Sequence, residues 1–124
     1  MGAGTVPTAG KAAIAALIQA EADYLALGTG TTAVAAGDTT LVTEITDTGL
    51  ERALATMSTQ TTTVTNDTSR ATKTWTSTGT KTVGESGLLT ASSGGTLYVR
   101  EVKSPTITVN SGDTYTNTTD TVVA

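Results

Sequence analysis

The spacing of apolar residues near the N-terminus predicts one amphipathic helix. Within residues 11–21 (KAAIAALIQAE), Ile14, Leu17 and Ile18 recur at the i, i+3, i+4 spacing that places side chains on one side of a helix. Alanine, the residue with the highest helix propensity, occupies most of the remaining positions. We predict a helix of about three turns, with Thr8 capping its start.

From residue 50 onward, apolar and polar residues alternate with the period of two that is typical of β-strands. Three pairs of alternating runs flank short polar turns, and each pair predicts a β-hairpin. The pairs are residues 52–65 with 70–78 around Asn66-Asp67, 88–90 with 96–102 around 92–95, and 105–109 with 114–123 around 110–113.

Alternation also predicts which side chains share a face of a strand. In the run TLYVREV, Leu97 and Val99 are expected on one face, with Tyr98 and Arg100 on the opposite face. Glycine and serine punctuate residues 84–87 (GESG), which we interpret as a turn between strands.

These elements together predict the fold class. Residues 23–27 add a strand after the helix, and residues 41–45 fit either a helical or an extended segment. One helix and seven or eight strands separated by turns predict a mainly β protein. We expect an antiparallel β-sandwich (jelly-roll-like) or a small barrel with one short N-terminal α-helix. Residues 1–10 are interpreted as an N-terminal arm and residues 11–124 as a single β-rich domain.

Composition narrows the classes of function. The 124 residues include no cysteine and no histidine, which excludes Ser-His-Asp and Cys-His catalysis and disulfide bonds. The net charge of −4 and the scattered basic residues argue against nucleic-acid binding. No apolar stretch is long enough to span a membrane, and we expect no signal peptide. About a quarter of the residues are threonine, which suits strands with one wet face.

A glycine motif raises the question of a nucleotide site. The hexapeptide Gly28-Thr29-Gly30-Thr31-Thr32-Ala33 fits the dinucleotide-binding pattern G-x-G-x-x-[G/A]. That pattern requires a following helix whose N-terminus holds the pyrophosphate. Here only four residues separate Thr32 from Gly37-Asp38, so no helix is expected. We therefore expect no cofactor, and interpret Gly28 and Gly30 as residues with positive φ in a tight connection.

For several residues the sequence allows either a functional or a structural role. Glu85 is a candidate catalytic carboxylate, although a turn carboxylate that accepts backbone hydrogen bonds is the favoured interpretation. Asp38, Asp67 and Asp113 each occupy an Asx-type turn, and a calcium site shared by two such loops stays open. Otherwise we expect no metal site. Trp75 is interpreted as a core or interface residue, with an exposed ligand platform as the alternative.

Four segments in order, GTGTTAVAAGDTTLVTEI, ATMSTQTTTVTNDTSRATKTW, VGESGLLTASSGGTLYVREV and ITVNSGDTYT, resemble a family of small virion structural proteins of tailed bacteriophages. The resemblance covers about residues 11–116, nearly the whole chain. Members are commonly labelled decoration, tail-fibre or other virion proteins. This chain departs from the pattern in Lys103-Ser104-Pro105 and in a longer threonine-rich tail.

The resemblance implies a non-enzymatic structural role in the virion. The leading hypothesis is a capsid-decorating (cement) protein that binds the major capsid protein on the outer shell as an oligomer, with a trimer favoured. The alternative is a tail-fibre or tail-associated module that binds tail proteins and contacts a receptor or carbohydrate. In both cases the protein is made in the bacterial cytoplasm and binds neither nucleic acid nor membrane. Predicted protein-contact positions are Val6, Pro7, Gly28, Thr29, Gly30, Trp75, Ser92, Ser93, Gly94 and Gly95.

Overall fold

The computed structural model describes residues 2–123, which contain one helix and seven strands. Met1 of the predicted arm and Ala124 of the predicted domain lie outside the described residues. The one helix lies near the N-terminus and all later elements are strands, as the sequence pattern predicts. In chain order the elements are α1 (Thr8–Glu21), β1 (Tyr24–Gly28), β2 (Ala53–Leu54), β3 (Thr56–Gln60), β4 (Thr68–Thr76), β5 (Lys81–Leu89), β6 (Leu97–Val109) and β7 (Thr114–Val122).

Two antiparallel sheets form a small β-sandwich. One sheet has four strands in the order β2-β1-β5-β6, and the other has three in the order β3-β4-β7. Because no strand pairing joins the two sheets within residues 2–123, the sandwich prediction is confirmed and the barrel alternative is wrong. Buried apolar residues from both sheets and from the connection between β1 and β2 form the main core: Leu25, Leu27, Ile45, Leu50, Ala71, Trp75, Val83, Leu88, Val109 and Tyr115, with Ala22 and Ala55 beside them.

Helix α1 begins at Thr8, three residues before the predicted start, and takes the last part of the predicted arm into the helix. Pro7 occupies the N-cap position without a side-chain cap, so the prediction that Thr8 caps the helix is wrong. The helix packs against β4 and β3 through Ala15 and Ile18. Of the predicted stripe, only Ile18 packs against the core, since Ile14 is 38% and Leu17 68% exposed; the buried face of the helix is centred on Ala15 instead.

The first two predicted hairpins are confirmed and the third is wrong. Strands β3 and β4 pair across the Asn66-Asp67 turn, and β5 pairs with β6 across residues 92–95. Strand β7 instead leaves the sheet of β6 and pairs with β4 over nine residues, from Thr68↔Val122 to Thr76↔Thr114. This pairing brings the ring of Tyr115 beside that of Trp75 in the core, with 6.4 Å between ring centroids.

A register shift in β6 overturns the predicted face pattern. Leu88 pairs with Val99 and Leu89 pairs with Leu97, so Tyr98 is an extra residue on the β6 side. Val99 therefore packs against the main core, while Leu97 lies on the opposite face of the sheet. The prediction that Leu97 and Val99 share a face fails because a one-residue bulge reverses the alternation.

A second, smaller apolar cluster lies on the outer face of the four-stranded sheet. Ala26, Leu41 and Leu89 are buried there, with Leu97 packed against them. Leu41 belongs to the long connection between β1 and β2, which crosses this face without regular structure apart from one bridge between Gly28 and Glu44. The connection therefore covers the sheet, and its attachment to the sheet determines the geometry of the polar groups beneath it.

Candidate functional site

Glu85 lies in the middle of strand β5, opposite Gly28 of β1. The prediction of a turn at residues 84–87 is therefore wrong. The glycines reflect close approach of other segments: a Cβ at Gly84 would lie 2.6 Å from the carbonyl oxygen of Gly30, and one at Gly87 would lie 2.7 Å from Leu41. Glycine punctuates this strand because the connection crosses directly over it.

The carboxylate of Glu85 is fully buried and accepts four hydrogen bonds. Its Oε1 accepts from the N–H of Val42 and from Nε of Arg100, both at 2.9 Å. Its Oε2 accepts from the N–H groups of Gly30 at 3.0 Å and Thr43 at 2.8 Å. Burial acts to raise the pKa of Glu85, but these donors outweigh it and hold the pKa below its ordinary value. The group is therefore a stably ionised structural carboxylate.

Arg100, on the neighbouring strand β6, completes the network. Besides the bond to Glu85, its Nη1 donates to Oδ2 of Asp38 at 3.1 Å and its Nη2 to the carbonyl of Thr32 at 2.7 Å. Asp38 also accepts from the N–H of Ala35 at 2.9 Å. That hydrogen bond is the main reason that the pKa of Asp38 is lowered. The Glu85–Arg100 pair thus anchors residues 30–43 of the covering connection to the sheet.

The glycine motif lies beside the carboxylate of Glu85, an anion that belongs to the chain itself. A Cβ at Gly28 or at Gly30 would lie 2.5 Å from Oε2 of Glu85. Neither residue is among those with positive φ, so the predicted reason for the glycines is wrong, and the requirement is space. One backbone N–H of the glycine motif, that of Gly30, does bind an anion here, together with the N–H groups of Val42 and Thr43. The anion is the carboxylate of Glu85 rather than a phosphate.

A second buried carboxylate, Asp67, holds the turn between β3 and β4. It accepts from the N–H groups of Thr62, Thr63 and Val64 at 2.9–3.0 Å and from the hydroxyl of Thr68 at 2.8 Å. The N–H groups of Val64 and Thr62 are the main reason that its pKa is strongly lowered. Asp67 therefore fixes a loop from inside.

Arg52 performs the same task for the β5–β6 loop. Its Nε and Nη2 bind the carboxylate of Glu44 at 3.0 and 2.6 Å, and its Nη1 donates to the carbonyls of Ala91 and Gly94. Beside it lies a cavity of about 300 Å³. The lining residues are Glu44, Ile45, Thr46, Glu51, Arg52, Ser92 and Ser93. The guanidinium of Arg52 already donates hydrogen bonds to the loop carbonyls and to Glu44.

Trp75 lies in the core, as the favoured interpretation has it. It is 4% exposed, and its Nε1 donates to the carbonyl of Glu51 at 2.9 Å. The alternative, an exposed ring that binds a ligand, is therefore wrong. The single tryptophan of the chain is part of the main core between the two sheets.

The remaining predicted contact positions lie in three separate parts of the fold. Val6 and Pro7 are exposed ahead of α1, and Val6 is 42% exposed. Gly28, Thr29 and Gly30 lie beside Glu85. Ser92, Ser93, Gly94 and Gly95 form the loop held by Arg52, and all four residues are exposed. Within residues 2–123, no three acidic side chains converge in a manner that would hold a metal ion.

Sequence reasoning missed the partners that give Glu85 its role. Arg100, Asp38 and Arg52 were not identified as anchors, although Glu85 and Arg100 both belong to the segment VGESGLLTASSGGTLYVREV that carries the family resemblance. An arginine in an apolar strand, near a glutamate in the segment GESG, is the signal that could have identified this pair.

The fold and these contacts define a small two-sheet β-sandwich in which buried charges fasten long loops to the sheets. No family model matches the chain, and no curated protein is similar to it at a significant level. No helix within residues 2–123 is long and apolar enough to cross a membrane.

Proposed function

We propose that this protein is a non-enzymatic structural component of a tailed-bacteriophage particle, bound to the outer shell of the capsid as an oligomer. The observation that carries the proposal is the Glu85–Arg100 anchor. Residues from two of the segments that resemble virion proteins meet at this ion pair, Gly30 from the first and Glu85 with Arg100 from the third. The residues that define the resemblance thus have a mechanical task.

A mechanical role explains why so much polar chemistry is buried. Glu85 uses both oxygens twice, Arg100 bonds to three different groups, and Asp67 bonds to four donors. Each network joins a long loop to a strand, so the loops keep one shape. A particle exposed to mechanical load and proteases benefits from loops whose local opening is costly.

The arm before α1 supports attachment to the shell. Residues 2–7 are exposed and carry Val6 as an apolar side chain ahead of the helix. An exposed segment of this kind can order on a neighbouring protein, here the major capsid protein, and bury its apolar residue there. The remaining surface carries a net negative charge and suits a position outside the DNA-filled interior.

The tail-associated alternative is favoured by a different surface. Threonines of β4 and β7 cover the outer face of the three-stranded sheet, including Thr74 and Thr116, whose hydroxyls lie 2.7 Å apart. Such a hydroxyl-lined face offers hydrogen bonds to a host-surface polymer. It lacks the aromatic stacking that carbohydrate sites commonly use, because Trp75 faces the core.

Immunogold labelling of intact particles of the encoding phage tests the proposal. Label spread evenly over the head is the expected result, with particles of an unrelated phage as the control. Label confined to the tail would select the tail-associated alternative. Particles that contain none of the protein by mass spectrometry would overturn both hypotheses.

Binding of the purified protein to undecorated shells tests the arm. We expect Val6→Ser to weaken binding, because it removes the exposed apolar side chain of the arm. The matched control is Leu17→Ser, which removes an even more exposed apolar side chain from the helix. Equal binding by both variants would remove the arm from the mechanism of attachment.

A further inference from the structure

Strand β7 is an unprotected edge of the three-stranded sheet. Its nine residues pair with β4 on one side without a register shift, and no strand within residues 2–123 pairs with its other side. The other three sheet edges are blunted: β2 has two residues, β3 has five, and β6 contains Pro105 and two register shifts. Natural proteins commonly protect long regular edges, so this one stands out.

The hydrogen-bond pattern shows which backbone groups are free. Beyond the two ends of the pairing, the N–H of Val123 donates to the carbonyl of Asp67 and that of Ser77 to the carbonyl of Asp113. In an antiparallel ladder, bonded residues alternate. Odd-numbered residues of β7 therefore bond to β4, and even-numbered ones direct N–H and C=O away from it. These are Thr114, Thr116, Thr118, Asp120 and Val122, and all five are exposed.

The inward side chains of β7 are held from the facing sheet. Lys103 donates to the side-chain oxygen of Asn117 at 2.7 Å, and the hydroxyl of Thr119 donates to Glu101 at 2.9 Å. These contacts fix the strand on its core face and leave the outward edge untouched. The edge is therefore ordered before any partner arrives, which lowers the entropic cost of pairing.

We propose that β7 pairs with β7 of a second copy, antiparallel about a two-fold axis at Thr118. Only this register places every residue whose N–H and C=O point away from β4 opposite another such residue over the full length of the strand. It places Thr116 opposite Asp120 of the second copy and Thr114 opposite Val122 of the second copy. The result is a continuous six-stranded sheet with the threonine face on one side, formed by an isologous contact.

Charge is compatible with this self-pairing. Asp120, the one charged residue of β7, is bound by Arg70 of its own sheet at 2.7 and 2.9 Å. The register opposes each Asp120 to a threonine hydroxyl, which can donate to it, and keeps the two carboxylates apart. The inference concerns the purified protein and does not depend on where it lies on a particle.

The first test removes one outward N–H. Thr118→Pro deletes a backbone donor that β4 does not use, and Thr118→Ala is the matched control that keeps it. By sedimentation equilibrium we expect twice the chain mass for the parent and for Thr118→Ala, and the chain mass for Thr118→Pro. A monomeric or trimeric parent, or a dimeric proline variant, would overturn the proposal.

The second test does not depend on tolerance of proline. The chain has no cysteine, so Thr118→Cys introduces a unique thiol at the axis. Opposed hydrogen-bonded residues have Cα atoms about 5.5 Å apart, within disulfide range. We expect Thr118→Cys to cross-link on mild oxidation, and Thr72→Cys, its neighbour on β4, to stay monomeric on a non-reducing gel. Equal cross-linking of both variants would contradict the axis.

Discussion

Glu85 and Arg100 form an ion pair across neighbouring strands, with 2.9 Å between Oε1 and Nε and with both side chains at most 1% exposed. Burial of two charges is costly unless further hydrogen bonds satisfy the remaining oxygens and protons. Here the backbone of the covering connection supplies those bonds. The pair and the connection therefore depend on each other for stability.

The first prediction concerns loss of this charge. We expect Glu85→Gln to lower the free energy of unfolding by about 3–5 kcal/mol, because it removes the fully buried partner of the Arg100 guanidinium and leaves only the partly exposed carboxylate of Asp38 beside it. Urea denaturation monitored by Trp75 emission measures the change. Glu51→Gln, at an exposed carboxylate, is the control and should stay within about 0.5 kcal/mol of the parent. Equal stability of the two variants would mean that the pair does not anchor the fold.

The second prediction concerns the glycine motif. Gly30→Ala places a methyl group 2.5 Å from Glu85 Oε2 and 2.6 Å from the Cβ of Val42. We expect a loss of about 1–3 kcal/mol on thermal or urea unfolding, because packed atoms must move. Gly37→Ala, in the same connection but with open space at its Cβ, should change stability little. If both variants behave alike, close approach is not the reason for the glycine.

The third prediction concerns acid. Hydrogen-bonded carboxylates such as Asp67 and Glu85 have lowered pKa values in the folded protein, while the unfolded chain titrates near 3.8 and 4.5. Below those values the unfolded state binds more protons, so stability is full above about pH 4.5 and decreases as the pH falls. Urea midpoints across an acidic series measure this slope. Asp67→Asn should make it shallower; an unchanged slope would exclude Asp67 as a contributor.

The fourth prediction concerns a buried hydroxyl. Ser86 faces the core opposite Leu27, and its Oγ has no hydrogen-bond partner within residues 2–123. We expect Ser86→Ala to raise the free energy of unfolding by about 1 kcal/mol, because it removes an unpaired polar group. Ser77→Ala serves as the contrast, since the Ser77 hydroxyl accepts the N–H of Gly79 and its loss should destabilise. Destabilisation by Ser86→Ala would indicate a partner for this hydroxyl.

Local pattern was sufficient for single elements and for the pairing of strands that are adjacent in sequence. The helix, the strand at residues 24–28 and the hairpins of β3–β4 and β5–β6 follow from periodicity and turn residues. Alternation shows which side chains are suited to a core, and a short polar turn brings adjacent strands together. It does not reveal a bulge, which is why the face of Leu97 was predicted wrongly.

Pairing between distant strands was beyond the reach of pattern. The turn at residues 110–113 is present, with the N–H of Asp113 bonded to the carbonyl of Asn110, yet the chain there passes to the other sheet. Strand β7 pairs with β4 and packs Tyr115 beside Trp75, a choice made by core packing. The turn residues 110–113 would be the same whether β7 paired with β6 or with β4.

The sequence by itself determined a mainly β chain with one N-terminal helix, because side-chain periodicity and turn chemistry are local properties. Only the tertiary structure decided what Glu85 does. Its backbone donors come from residues 42–55 positions away, and Arg100 reaches it from the next strand. The same glutamate in an open cleft would be a candidate acid or base; enclosed by four donors, it is an anchor.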